Sequence, residues 1–272
     1  MISSFFLLLV LIVYCLLPEL RNLSGLVLMA YTFTLFSAFI TKLVIDFTIK
    51  STPPGFCKKI SPVVYYLFMS CIFWLSVISF DVWSGLRRFR IKRGSKREEL
   101  IRFLWYGLYA WGTPLVIAAI VITLDNIDIS YMGIQKPPFE VCFHDEGKSF
   151  NYYFRIPIGI LIVINTIMFI VTVYNIWIVK HAVRNSNNSK QQNAKFSTYA
   201  KLSVMMGVSW CTELIQINED VLWLYILINC YNIFTGVAIF YLFVWDKKIL
   251  AMLCRKFNIR NEFTKKLDAE LS

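Results

Sequence analysis

The fold the sequence predicts is an all-α membrane protein, a seven-transmembrane-helix bundle with its N-terminus outside and its C-terminus in the cytoplasm, and three observations predict it. The 272 residues are 57% hydrophobic and only 17% charged, with a mean hydropathy of +0.59; soluble domains usually carry about 25% charged residues. Apolar stretches close to the ~20 residues that a helix needs to cross ~30 Å of hydrocarbon recur along the chain. The polar loops between them alternate, and those rich in Lys and Arg all fall on one side, which marks that side as cytoplasmic. The net charge of +11 therefore reports membrane orientation rather than nucleic-acid binding. Seven spans of ~20 residues take about half the chain and leave no room for a soluble catalytic domain.

The transmembrane domain is expected over residues 1–246, with spans at about 2–17, 26–49, 57–84, 103–124, 152–179, 199–217 and 221–245. The first stretch is apolar and stops at Pro18-Glu19; it has neither the positive start nor the small-residue cleavage site of a signal peptide, so it reads as a helix. A turn containing Arg21 leads to the second span, which rises outward. Lys42 and Asp46 share one face of that helix, four residues apart. They are either a snorkelling ion pair near the outer end or a ligand-facing polar pair. Pro53-Pro54-Gly55 breaks the helix and returns the chain to Cys57.

The third span runs directly into Arg87, Arg88, Arg90, Lys92, Arg93, Lys96, Arg97 and Arg102, against only Glu98 and Glu99, which fixes its inner end. In the fourth, Gly107 and Gly112 are expected to admit a neighbouring helix and Pro114 to kink the chain around Trp111. Residues 125–151 carry mixed charges and Cys142, and read as an outer loop. Beyond the fifth span, Lys180, Arg184, Lys190, Lys195 and Lys201 surround a polar stretch without an acidic residue, which is cytoplasmic by the same rule. The sixth span holds Gly207 and Trp210. Asn218-Glu219-Asp220 is a tight outer turn that makes the last two helices antiparallel neighbours. The seventh span carries Gly236. Residues 247–272 form a cytoplasmic tail in which Ile249, Leu250, Leu253 and Phe257 recur at helical spacing, as in an amphipathic helix on the inner surface.

Of seven cysteines, Cys15, Cys71, Cys211, Cys230 and Cys254 fall within spans or near their inner ends. Cys57 and Cys142 fall outside, where oxidising conditions favour a disulfide over two unpaired thiols. The glycosylation sequons at Asn22 and Asn187 lie on the cytoplasmic side and read as coincidental. His144 and His181 are in loops on opposite faces, so no zinc site and no cofactor is expected. A channel or transporter would need a polar line through several helices, for which the sequence offers only Asn165, Glu213, Asn229 and Asn232 beside Lys42 and Asp46.

Five motifs stand out: LPELRN (17–22), FWLSVISFDVW (73–83), LYAWGTP (108–114), MGVSW (206–210) and YNIFTGVAIF (231–240). With them the sequence resembles the Methuselah-like G-protein-coupled receptors, relatives of the secretin and adhesion receptors, over essentially its whole length. The resemblance implies a multi-pass plasma-membrane receptor, not an enzyme. Such a receptor passes an extracellular signal to a heterotrimeric G protein by rearranging helix packing. It implies an extracellular ligand of unknown identity, a receptor dimer as a further partner, and a disulfide at the Cys57 and Cys142 positions. Arg87, Arg88, Arg90, Arg93, Arg184 and Lys201 would face the G protein, Gly207 and Trp210 would form a pivot, and Trp111 and Gly236 would be packing positions. Departures accompany the likeness. The His and Glu of the secretin-type polar latch are replaced by Ser24 or Gly25 and by Ile78, so that latch is not expected here. The sixth-helix Pro-Leu-Leu-Gly bend appears as Val204-Met205-Met206-Gly207, and Thr235 stands where a Gln often precedes the glycine. The family's secreted ectodomain is also absent from this sequence. The alternatives to a signalling receptor are therefore a truncated non-signalling form and a channel or transporter.

Overall fold

The computed structural model describes residues 2–48, 55–88, 95–127, 136–137, 139, 149, 151–183, 234–245 and 247–257. The first helix, α1 (Ile2–Leu16), stops because Pro18 pushes the residue before it out of the helical region. Leu17 accordingly adopts φ −106°, ψ 92°, and a short 3-10 turn, Pro18–Leu20, follows. The last carbonyls of α1 cannot find partners within the helix. Cations supply them: Arg21 Nε donates to the Tyr14 carbonyl at 3.4 Å, a second Arg21 nitrogen to that of Cys15, and Lys256 Nζ to that of Leu16. Positive charge at a helix C-terminus also opposes the negative end of its dipole.

Asn22, read from sequence as part of a turn, caps the next helix. Its side-chain oxygen accepts from the Gly25 N–H at 2.9 Å, so α2 (Leu23–Thr48) begins three residues before the expected span. Gly55, at φ 95°, takes a left-handed conformation that favours glycine and starts α3 (Phe56–Arg88). The fourth span also begins early. Ser95 accepts from the Glu98 N–H at 3.4 Å, an N-cap with acidic residues in the first turn, and α4 (Lys96–Gly107) follows it. A π turn, Leu108–Gly112, then joins α4 to α5 (Thr113–Asn126). A second π turn, Asn151–Arg155, opens α6 (Ile156–Val183). Each of these turns lies just before a proline, Pro114 or Pro157, whose missing N–H leaves the carbonyl four residues back without its helical partner. Finally come α7 (Phe234–Phe243) and α8 (Lys247–Lys256). In α8, Ile249 and Ala251 are buried and Leu253 packs against the core, while Phe257 just beyond it stays exposed.

The longest helix, α3, is the axis of the assembly. One buried cluster joins its Phe73, Trp74, Val77 and Ile78 to residues of α1, α2, α7 and α8; another joins its Tyr65, Met69 and Ile72 to Ala118, Val121, Ile158 and Ile162. The outward faces of the fourth and fifth spans are apolar: Leu104, Trp105, Leu115, Val116, Ile160 and Val163 are each more than half exposed. A continuous face of this kind belongs against hydrocarbon rather than water. Four stretches of the described residues, Leu23–Ile45, Phe56–Asp81, Lys96–Asn126 and Tyr152–Val171, are helices long and apolar enough to cross a membrane. Ile2–Leu16 and Phe234–Phe243 are shorter apolar helices. The sixth span and the first part of the seventh fall on residues 199–233, outside the described residues.

The glycines behave differently from the sequence expectation. Among the described residues, a Cβ on Gly107 or Gly112 would meet only Trp111 or Leu108 side chains of its own span, at 3.6 and 3.5 Å, and no second helix. Close approach of another helix falls to Gly236 instead. A Cβ there would lie 2.2 Å from the Ser3 carbonyl oxygen and 2.7 Å from Ser3 Cα, and the Gly236 N–H donates to Ser3 Oγ at 3.2 Å. The first and last helices thus touch backbone to backbone.

Candidate functional site

Polar groups tie the helices together at three levels along α3. Nearest its Arg88 end, Asp81 is buried at 6% exposure within a largely apolar motif. Its carboxyl group accepts from Ser24 Oγ of α2 at 3.0 Å and from the Tyr106 hydroxyl of α4 at 3.4 Å. Ser24 is the second residue of α2, so the carboxyl sits by the positive end of that helix dipole. One side chain thereby holds three helices. The resemblance puts the missing latch residue at Ser24 or Gly25, opposite Ile78; in the structure Ser24 pairs instead with Asp81, one turn beyond Ile78. An acidic residue in a membrane span is a functional signal by itself, and Asp81 carries it.

At the middle level the π turn aims Trp111 into the bundle. Its indole N–H donates to Thr34 Oγ1 of α2 at 3.1 Å, and its ring stands edge-on to Trp74 of α3 with centroids 5.0 Å apart. Trp74 in turn stacks on Phe103 at 6.2 Å. Aromatic contacts of this type add about 0.5–1.5 kcal/mol each beyond burial. Thr32 Oγ1, Ser70 Oγ, Trp74 Nε1 and both amide atoms of Asn165 are buried without a hydrogen-bond partner among the described residues.

At the far end Lys58 pairs with the buried Asp125 at 3.7 Å, joining the start of α3 to the end of α5. Ser61 Oγ donates to the Phe139 carbonyl at 3.1 Å. The Tyr65 hydroxyl donates to the Tyr153 carbonyl at 3.0 Å, the group Pro157 leaves without a helical donor. Cys57, beside Lys58, is disulfide-bonded.

Among the other residues singled out from sequence, Lys42 is exposed on α2, and Asp46 lies in the same helix with its side chain outside the described set. Arg87 and Arg88 end α3, and their side chains are likewise not described. Cys142, Arg90, Arg93, Arg184, Lys201, Gly207 and Trp210 fall outside the described residues. No group of three His, Cys, Asp or Glu side chains among the described residues could hold a metal ion.

Comparison with known proteins agrees with this architecture. The family model for the 7 transmembrane receptor (Secretin family) matches residues 1–239. The chain is 33% identical to the G-protein coupled receptor Mth2 of Drosophila yakuba, across 94% of this chain and 50% of that protein. It is 32% identical to the probable G-protein coupled receptor Mth-like 10 of Drosophila melanogaster, across 94% of this chain and 48% of the relative. With the G-protein coupled receptor Mth of the same species it shares 28% identity, across 100% of this chain and 55% of that one. The chain therefore spans about half the length of the curated relatives it matches. These matches bear out the Methuselah-like resemblance. The chain belongs to the secretin family of seven-transmembrane receptors, among relatives named as Mth-type G-protein coupled receptors.

Proposed function

We propose that the chain is a receptor of the plasma membrane, seven spans with its N-terminus outside, which carries an extracellular signal to a heterotrimeric G protein by shifting helix packing. The observation that supports this reading most directly is the Ser24–Asp81–Tyr106 cluster, two turns before the basic end of α3. Interhelical hydrogen bonds in membranes are worth about 0.6–2 kcal/mol each. Moving a two-state equilibrium from 1:99 to 99:1 takes about 5.5 kcal/mol. Two such bonds therefore bias the balance substantially without freezing it. In this reading a ligand binds better to the arrangement in which Asp81 has released a helix, and the population shifts accordingly.

Arg87, Arg88, Arg90, Arg93, Arg184 and Lys201 then present positive charge to the G protein, and Gly207 and Trp210 give the sixth helix its pivot. A Cys57–Cys142 disulfide anchors the outer loop to α3. Lys42 and Asp46 lie toward the ligand side. The tests are basal and ligand-free. Asp81→Asn keeps the shape but loses an acceptor oxygen, and is expected to raise basal second-messenger output several-fold. Arg87→Glu with Arg88→Glu is expected to abolish that output at unchanged surface expression. A flat response to both changes would count against coupling through this end.

A further inference from the structure

Two cations meet at the C-terminal end of α1. Arg21 donates to the Tyr14 and Cys15 carbonyls, and Lys256, the last residue of α8, donates to that of Leu16. Three consecutive carbonyls at one helix end lie within a helix diameter, about 10 Å, so the guanidinium and the ammonium are held close together. Capping does not use them up. A guanidinium has five N–H donors and an ammonium three, of which these bonds take two on Arg21 and one on Lys256. Neither cation has a carboxylate partner among the described residues, although Glu19 stands in the turn just before Arg21. Arg255, exposed beside Lys256, adds a third positive charge. The end of the α1 dipole offsets only about half a charge.

The surface that leads to this corner is apolar. Phe5, Leu8, Ile12 and Cys15 are exposed and recur at spacings of three and four residues, which is one face of α1. Phe257, just beyond Lys256, is exposed as well. Acyl chains lying along that face bring their headgroup to Arg21 and Lys256. A phosphomonoester carries about −1.5 to −2 charges and three acceptor oxygens, enough to meet both cations at once. The headgroup of phosphatidylserine, by contrast, brings an ammonium of its own to a place that already holds two. We propose that the corner between the end of α1 and α8 is a binding site for the headgroup of a phosphoinositide, held by Arg21 and Lys256. The proposal rests on the membrane placement of the chain in the preceding section and not on G-protein coupling.

The experiment uses the full chain in lipid nanodiscs, which open both faces of the bilayer, with thermal unfolding as the readout. Neither a reversed orientation nor a receptor that fails to signal then hides the site. In phosphatidylcholine discs doped with phosphatidylinositol bisphosphate, Tm is expected to rise saturably by on the order of 3 °C over phosphatidylcholine alone, because the lipid binds the folded state. Phosphatidylserine at matched total charge is expected to give a clearly smaller rise. Soluble inositol trisphosphate added to phosphatidylcholine discs is expected to give none, since it lacks the chains that lie on α1. Arg21→Gln with Lys256→Gln is expected to remove the rise, measured from that variant's own phosphatidylcholine baseline. Lys96→Gln with Arg97→Gln removes the same charge from the exposed start of α4 and is expected to keep it. No rise in the unsubstituted chain would overturn the proposal, as would a rise that survives Arg21→Gln with Lys256→Gln. An equal rise with phosphatidylserine or with the soluble headgroup, or an equal loss in the two double variants, would overturn it too. Should Arg21→Gln with Lys256→Gln not accumulate, Lys256→Gln alone replaces it, with a substantial loss of the rise required.

Discussion

Gly236 shows how much one absent methyl group decides. The built Cβ position 2.2 Å from the Ser3 oxygen meets backbone, not the flexible end of a side chain, so no rotamer change relieves it. Gly236→Ala must push α1 and α7 apart, which also stretches the Gly236 N–H to Ser3 Oγ bond. Overpacking of this kind costs about 1–3 kcal/mol, and we expect Gly236→Ala to lower Tm by several degrees in detergent or nanodiscs, against no measurable change for Gly112→Ala. Asp81 teaches the complementary point. Ser24→Ala removes one of its donors and is expected to cost about 1–2 kcal/mol in the same assay, because the buried carboxyl group then loses a hydrogen bond. Gly236 was readable as a packing residue from its motif, but its contact was not, since nothing in a sequence states that Ser3 lies opposite. Asp81 was visible as an acid in an apolar span and needed the structure to show Ser24 and Tyr106 converging on it.

Helices in this chain start and end where side chains or prolines satisfy backbone groups, and that logic was only partly legible. Pro18 as the end of the first helix and a helical start to the tail are legible, because their signals are local. α2 and α4 start before the expected apolar spans, because Asn22 and Ser95 cap them from within polar sequence. Hydropathy marks the part of a helix that meets lipid, whereas the cap lies beyond that part. The two π turns were not foreseen, although the prolines that follow them were in plain view. Pro157 makes a quantitative test possible. Tyr65→Phe removes the hydroxyl that donates to the Tyr153 carbonyl and is expected to cost about 1–2 kcal/mol. In a Pro157→Ala background the restored N–H can reach that carbonyl, so the same substitution should cost much less. A double-mutant cycle on thermal stability measures the difference. Equal costs in both backgrounds would mean that the proline does not leave this carbonyl to Tyr65.

At the scale of the whole molecule the question is which surface meets water and which meets lipid. Composition and the alternation of basic loops bear on topology without any knowledge of packing. They do not say which side of each helix faces outward. The structure turns Val116 outward at 60% exposure and leaves Ala110, six residues earlier, with none. For a surface valine in water, substitution by Arg would shift stability by no more than about 0.5 kcal/mol. Facing hydrocarbon in the fourth span, Val116→Arg carries the insertion penalty of a mid-membrane arginine, about 2.5–3.5 kcal/mol. Microsomal insertion of the full chain should fall accordingly, while Lys96→Arg, at the basic end of the same helix, should leave it unchanged. The bundle then has a direction to be fixed. Epitope tags at Met1 and Ser272 should be read on opposite sides of intact cells, the first without permeabilisation and the second only after it. Both tags appearing on one side would require an even number of crossings and would overturn the seven-span arrangement on which the proposed coupling rests.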